Sequence, residues 1–332
     1  MTTTAPVMTM TRRSSGSHTF WLSSTTAALI LLWVGASCDS GTPGGGVDIT
    51  DATLSSRSAD CGDYANSYFA NVVDIQRDMS FSGALSIEVG SGSCTFSSNS
   101  IPNHDFNDAT AQFATPVSEV DATFSVTSDP VAGASVTGIS LAYDNGLFLN
   151  GVKLDLLAAA CYGVGPDPLG AEKIGCNDIN SAWRYDPMYW GNSFGTDAHN
   201  AHTQPNGAYH YHGTPLALYD DSEAGGESPV IGFAADGFPI FGPYIDDAGA
   251  VRKVVSGYTL KAGARVSLPG EAAFPGGSYD GTYRDDYEFT AAGDLDECNG
   301  MTRDGVYGYY LSDGYPWVLA CFAGTPDESF RK

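Results

Sequence analysis

The chain has 332 residues and carries 39 Asp and Glu against 15 Lys and Arg, a formal net charge of −24. A field of that sign repels nucleic acid and favours cations, so no nucleic-acid partner is expected. Forty glycines and seventeen prolines argue against an architecture of long helices.

The chain opens with Arg12 and Arg13, then an apolar run from Trp21 to Val34, then the small residues Gly35-Ala36-Ser37 ahead of Cys38. A positive start, a short apolar stretch and a small-residue exit describe an export signal rather than a spanning helix, so residues 1–37 read as a signal peptide. The cysteine placed directly after the small residues resembles a bacterial lipobox. That resemblance implies lipidation at Cys38 and an exported protein held at the cell envelope by a membrane anchor. Gly35 departs from the pattern, standing where Leu or Val is usual, with Val34 one place early. Residues 38–60 begin with a Gly-, Ser- and Pro-rich tract and read as a flexible linker. The folded domain is expected over 61–326, and no later apolar run is long enough to span a bilayer.

Beyond Cys38 six cysteines remain: Cys61, Cys94, Cys161, Cys176, Cys298 and Cys321. An even number in an exported chain suggests disulfides, with fifteen connectivities open. Proximity along the chain favours Cys61–Cys94, Cys161–Cys176 and Cys298–Cys321.

From Cys61 to Leu156 short alternating runs recur between turn residues, as in Ala84–Val89, Val120–Val126 and Leu147–Val152. They predict a mainly β fold, sandwich-like, with many short strands and few short helices. One helix is expected over Tyr64–Asp78. Residues 157–200 read as irregular, pinned by Cys161 and Cys176. Asp236-Gly237 marks a turn, and Pro239 and Pro243 place that stretch at an edge or in a loop. Tyr307–Leu319 reads as an aromatic hairpin turning at Asp313-Gly314.

Four of the six histidines (His199, His202, His210 and His212) fall within fourteen positions. Tyr209-His210-Tyr211-His212 alternates like a strand, so the two imidazoles share one face and the tyrosines pack on the other. The preceding turn has two readings. A two-residue Asn206-Gly207 turn is the stronger generic signal, and it would put His202 on the wrong face. A three-residue Pro205-Asn206-Gly207 loop pairs His202 with His210; it is favoured because Pro205 lacks a backbone N–H. His202, His210 and His212 would then form a cluster suited to copper or zinc, with His199 on the other side and kept as a possible further ligand. Asp236 and Asp197 are the nearest carboxylates in sequence that could orient such ligands.

Ala201–Gly213 resembles the signature of the YHYH-domain proteins. Ser100–Asp105, Asp236–Pro243 and Gly293–Gly300 are similar to that family too, so the resemblance spans about residues 60–325. It implies an extracytoplasmic domain, names no reaction, and adds His104 as a further candidate ligand. The expected function is transition-metal binding at the cell envelope. Two alternatives stand beside it: a metal-dependent hydrolytic or oxidative enzyme, and a structural or adhesive module without metal. Asp294–Asn299 fails the calcium-loop pattern because Cys298 stands where a third acid belongs. Gly191-x-Ser193-x-Gly195 fits the nucleophile-elbow spacing but lacks the strand and helix that the elbow requires.

Overall fold

The computed structural model describes residues 45–165, 175–192 and 194–332, together with Thr11–Arg12, which pairs with Ala52–Thr53. The rest of the leader, Cys38 and Ser193 lie outside the described residues. The protein is mainly β with multiple sheets of short strands, and no helix of seven or more residues forms among the described residues. No described helix is long and apolar enough to cross a membrane.

A five-stranded sheet is formed by β1 (Val47–Asp48), β2 (Asn66–Asp74), β3 (Met79–Val89), β4 (Ser93–Ser98) and β5 (Ala122–Thr127), in chain order. Its inward face follows the two-residue period: Tyr68, Ala70 and Val72 on β2, Leu85 and Ile87 on β3, Phe96 on β4, Phe124 and Val126 on β5. The helix expected over Tyr64–Asp78 is therefore corrected to a strand. Nine consecutive pairs with β3, from Asn66↔Ile87 to Asp74↔Met79, settle its conformation. Val47–Leu54 of the expected linker also lie within the fold. Val47 and Asp48 pair with Tyr68 and Phe69, and Ile49, Ala52 and Leu54 are buried.

The second sheet has eight strands: β6 (Gly146–Phe148), β7 (Lys153–Leu154), β8 (Ala201–Thr203), β9 (Tyr209–Tyr211), β10 (Val230–Ala234), β11 (Pro239–Phe241), β12 (Gly300–Arg303) and β13 (Val306–Tyr310). Their spatial order is β8-β9-β7-β6-β10-β11-β13-β12. Every residue of β6, β8, β9, β10 and β11 is buried, so both faces of the sheet centre are covered. Phe96 of the first sheet meets Phe233 of the second with ring centroids 6.1 Å apart, and Tyr64 meets the same ring at 5.9 Å. One core joins the two sheets.

Three turn expectations fare differently. Asp236-Gly237 does join β10 to β11, with Gly237 at φ 90°. Pro239, expected at an edge or in a loop, instead begins an interior strand between β10 and β13, a first position where proline is tolerated. The aromatic hairpin turns at Asp304-Gly305, pairing Arg303 with Val306, and not at Asp313-Gly314. Both turn residues have positive φ, 52° and 82°, as a type I′ turn demands.

The disulfides join Cys61 to Cys94, Cys161 to Cys176 and Cys298 to Cys321. The first staples the segment before β2 to β4. The second sits in the irregular region that follows β7.

Candidate metal centre

The hairpin β8–β9 lies at the end of the eight-stranded sheet, and its register pairs His202 with His210, Ala201 with Tyr211 and Thr203 with Tyr209. Pro205-Asn206-Gly207 forms the loop, closed by Gln204 N donating to Ala208 O at 2.9 Å and Gly207 N donating to Gln204 O at 2.8 Å. Gly207 takes φ 88°, which a side chain would strain.

Alternation then sorts the side chains. Tyr209 and Tyr211 enter the core, where Tyr211 meets Phe148 at 5.2 Å. On the opposite face the three imidazoles of His202, His210 and His212 gather with ring centroids 4.7 to 4.8 Å apart. Their Nε2 atoms point at one another: His210 to His212 at 3.2 Å, and His212 to His202 at 2.9 Å. Nitrogens bound tetrahedrally at about 2.0–2.1 Å to one ion stand roughly 3.3 Å apart. Two of the three separations are thus within a few tenths of an ångström of that geometry, and one ligand atom from each ring lies within 4.8 Å of the others.

All three rings are buried. Burial holds His202 below the ordinary imidazole pKa, opposed by a hydrogen bond to the Phe194 carbonyl. Burial pushes His210 and His212 well below it, reinforced by the neighbouring imidazoles and by the lysine charges nearby. The rings are therefore neutral, the protonation state a metal needs. His202 Nδ1 donates to Phe194 O at 2.6 Å, which fixes the tautomer and leaves its Nε2 with a bare lone pair. His210 Nδ1 is buried without a hydrogen-bond partner among the described residues. His212 Nδ1 has the Asp155 main chain nearby but makes no hydrogen bond of normal geometry.

Hydrogen bonding alone does not satisfy this arrangement. A proton on His212 Nε2 can serve one neighbouring lone pair, not both. The acceptor set matches one cation facing three neutral imidazoles.

The histidine face continues beyond the hairpin. β7 runs parallel to β9 with Leu154 beside Tyr211, and Asp155 N donates to Tyr211 O at 2.9 Å. Alternation therefore puts Lys153 and Asp155 on the imidazole side with Gln204. Gln204 Nε2 donates to Asp155 Oδ2 at 3.1 Å, and Lys153 Nζ donates to Gln204 Oε1 at 2.9 Å. Lys332 Nζ also donates to Asp155 Oδ2. The triad, Asp155, Gln204 and Lys332 share a cleft of about 450 Å³ whose remaining wall is mostly apolar, including Leu141, Leu157 and Phe194.

The other candidates lie elsewhere. His104 is on the tyrosine side: its Nε2 accepts from Tyr211 Oη at 2.6 Å, and its Nδ1 donates to Asp105 O at 2.8 Å. His199 packs on His104 with centroids 3.9 Å apart. Asp197 accepts from Tyr209 Oη at 2.8 Å and from the backbone N–H of His199 at 3.0 Å. Asp236 accepts from Tyr309 Oη at 2.6 Å and Gly324 N at 2.9 Å. Neither carboxylate makes a hydrogen bond to the triad; burial raises the pKa of both. Sequence reasoning missed Asp155, Gln204 and Lys332. The alternation Lys153-Leu154-Asp155 was visible, but the pairing with Tyr211 that aims it was not.

The Ser100–Asp105 segment now has a physical role. Asn103 Nδ2 donates to Ile49 O and Ala52 O, both at 3.0 Å, and His104 holds the tyrosine side of the hairpin.

A mainly β domain with histidines alternating along a buried hairpin is the class that fold and site define. The chain belongs to the YHYH protein family, which matches residues 123–324. No curated protein and no solved structure matches the chain.

Proposed function

We propose that this YHYH-family protein binds one transition-metal ion, copper or zinc, through the Nε2 atoms of His202, His210 and His212. The observation that carries this reading is the convergence of three buried, neutral imidazoles with Nε2 contacts of 2.9 and 3.2 Å. Imidazole donors alone suit either metal. The reading includes a signal peptide at residues 1–37 and a lipid anchor at Cys38, so that the domain works at the cell envelope. The leader composition supports that placement.

The cleft favours a second reading, a metal-dependent hydrolytic or oxidative enzyme. Three protein ligands leave a coordination position open, the pattern of catalytic rather than structural zinc sites. That side of the triad opens on about 450 Å³ of space with a carboxylate in its wall.

Elemental analysis of the purified full chain, loaded with copper or zinc and dialysed, tests the metal reading. One equivalent per chain is expected, falling below about a tenth in a His210→Ala/His212→Ala variant, because one remaining imidazole holds such an ion weakly. Stoichiometric metal surviving in the variant would refute these ligands. No metal in either protein would leave the module in which the imidazoles only hydrogen-bond.

A further inference from the structure

We infer that Asp155 guards the open position of the histidine triad and reserves it for an uncharged ligand that brings its own proton, water or a small alcohol or amine, and against anions. The inference rests on the metal reading above and names the ligand class of that site.

Three observations carry it. Asp155 is buried, yet it lines the same cleft as His202, His210 and His212. Its two oxygens are used unequally. Oδ2 accepts from Gln204 and Lys332, while Oδ1 is buried with no hydrogen-bond partner among the described residues. A buried carboxylate oxygen without a donor is costly, so a group that supplies a proton there is favoured. Third, the charges around the carboxylate are already balanced. Lys332, which pairs with Asp155, also reaches Asp144 at 3.5 Å, and Lys153 pairs with Asp144 at 3.0 Å, so two lysines stand among two aspartates. The cleft therefore offers an anion no uncommitted positive charge apart from the ion itself, and it presents a carboxylate oxygen instead. Leu141, Leu157 and Phe194 along the remaining wall accommodate the apolar body of a small organic molecule.

The electrostatics give the test. An anionic probe such as azide, which carries no proton, would occupy the fourth position against the field of Asp155. Copper-loaded protein is titrated with azide and followed by the azide-to-copper charge-transfer absorption, a readout independent of any activity. Asp155→Asn keeps the shape and removes the charge, so azide is expected to bind at least about tenfold tighter, as a unit charge removed within several ångströms implies. Asp144→Asn removes an equal charge beside Lys153 and Lys332, but Asp144 does not line the cleft. Azide affinity there is expected to stay within about threefold of the parent.

Equal tightening in both variants would show a general field rather than a facing carboxylate, and would overturn the inference. Unchanged azide affinity in Asp155→Asn with full copper loading would overturn it as well, while leaving the metal centre standing. Failure of the parent to take up copper would sink both. Melting temperatures of the two variants show that each is folded when titrated.

Discussion

His104 shows how a single buried side chain couples the fold to pH. Its ring is enclosed between His199 and the core, donating to Asp105 O and accepting from Tyr211 Oη. Tyr211 Oη also accepts from Asn150 Nδ2 at 3.0 Å, so the proton inventory closes only if the imidazole is neutral. Burial, with the His199 charge second, pushes its pKa down to about 3. The unfolded chain takes up a proton near the ordinary value of about 6.5 while the folded chain does not. Stability is therefore full above that pH and is lost as pH falls from about 6.5 toward 3. At pH 5 the loss from this one group is about 2 kcal/mol. His104→Gln keeps a side chain able to accept from Tyr211 and removes the titration. Urea unfolding of metal-free protein at pH 7.5 and pH 5 should show the parent losing about 2 kcal/mol more than this variant. Parallel losses would mean that the ring is protonated inside the fold. Asp155 teaches a different lesson at this scale. Fifty-five positions separate it from His210, and only parallel pairing of Leu154 with Tyr211 puts both on one face.

At the level of elements, the hairpin is built around one backbone conformation. Gly207 at φ 88° ends the three-residue loop, and a Cβ there would lie 2.1 Å from Ser118 Oγ and 3.1 Å from Pro116 O. The loop is held from outside as well: Ser118 N donates to Gly207 O at 3.0 Å and Ser118 Oγ to Asn206 O at 3.1 Å. Gly207→Ala combines left-handed strain with a clash against a neighbouring segment, so a loss of about 2 kcal/mol in urea unfolding is expected. A loss below about 0.5 kcal/mol would show that the loop accepts another turn, one that need not pair His202 with His210. The hairpin was legible in the sequence because Pro205 argued against the shorter turn and because strict Tyr-His alternation leaves no helical face. β2 was not legible. Its inward positions are Tyr68, Ala70, Val72 and Asp74, and an aspartate at an inward site hides the alternation. Asp74 is tolerated there because Asn107 Nδ2 donates to it at 2.6 Å and Arg77 pairs with it at 3.3 Å. Those partners come from turns that no periodicity announces. The interior place of Pro239 was hidden for a related reason, since strand order is set by long-range packing.

Over the whole molecule, the two faces of the histidine hairpin are supported differently, and the disulfides separate them. The tyrosine face is continuous with the core that both sheets share. The histidine face is covered by the irregular region after β7, where Ala158, Ala159, Gly175 and Asn177 line the cleft on either side of the Cys161–Cys176 bridge. That wall has little apolar core of its own: Ala158, Ala160 and Phe194 form a small separate cluster. It is held by the bridge, by Cys176 N donating to Ala159 O at 2.8 Å, and by Arg184 Nη1 donating to Ala158 O at 2.6 Å and Cys176 O at 3.1 Å. Removing the bridge should loosen the wall without disturbing the proposed ligands His202 and His210, which are fixed by the sheet. In a Cys161→Ser/Cys176→Ser variant the closed loop of 15 residues is lost, so stability should fall by about 3 kcal/mol. Metal stoichiometry should persist, while a chelator should strip the ion severalfold faster, because local opening of a thinly packed wall exposes the site. Cys61→Ser/Cys94→Ser supplies the comparison. It removes a bridge with a sequence separation of 33 from the other sheet and should lower stability by a similar amount, leaving the stripping rate unchanged. Equal stripping rates in the two variants would mean that release follows global unfolding, and the irregular region would then have no part in guarding the ion.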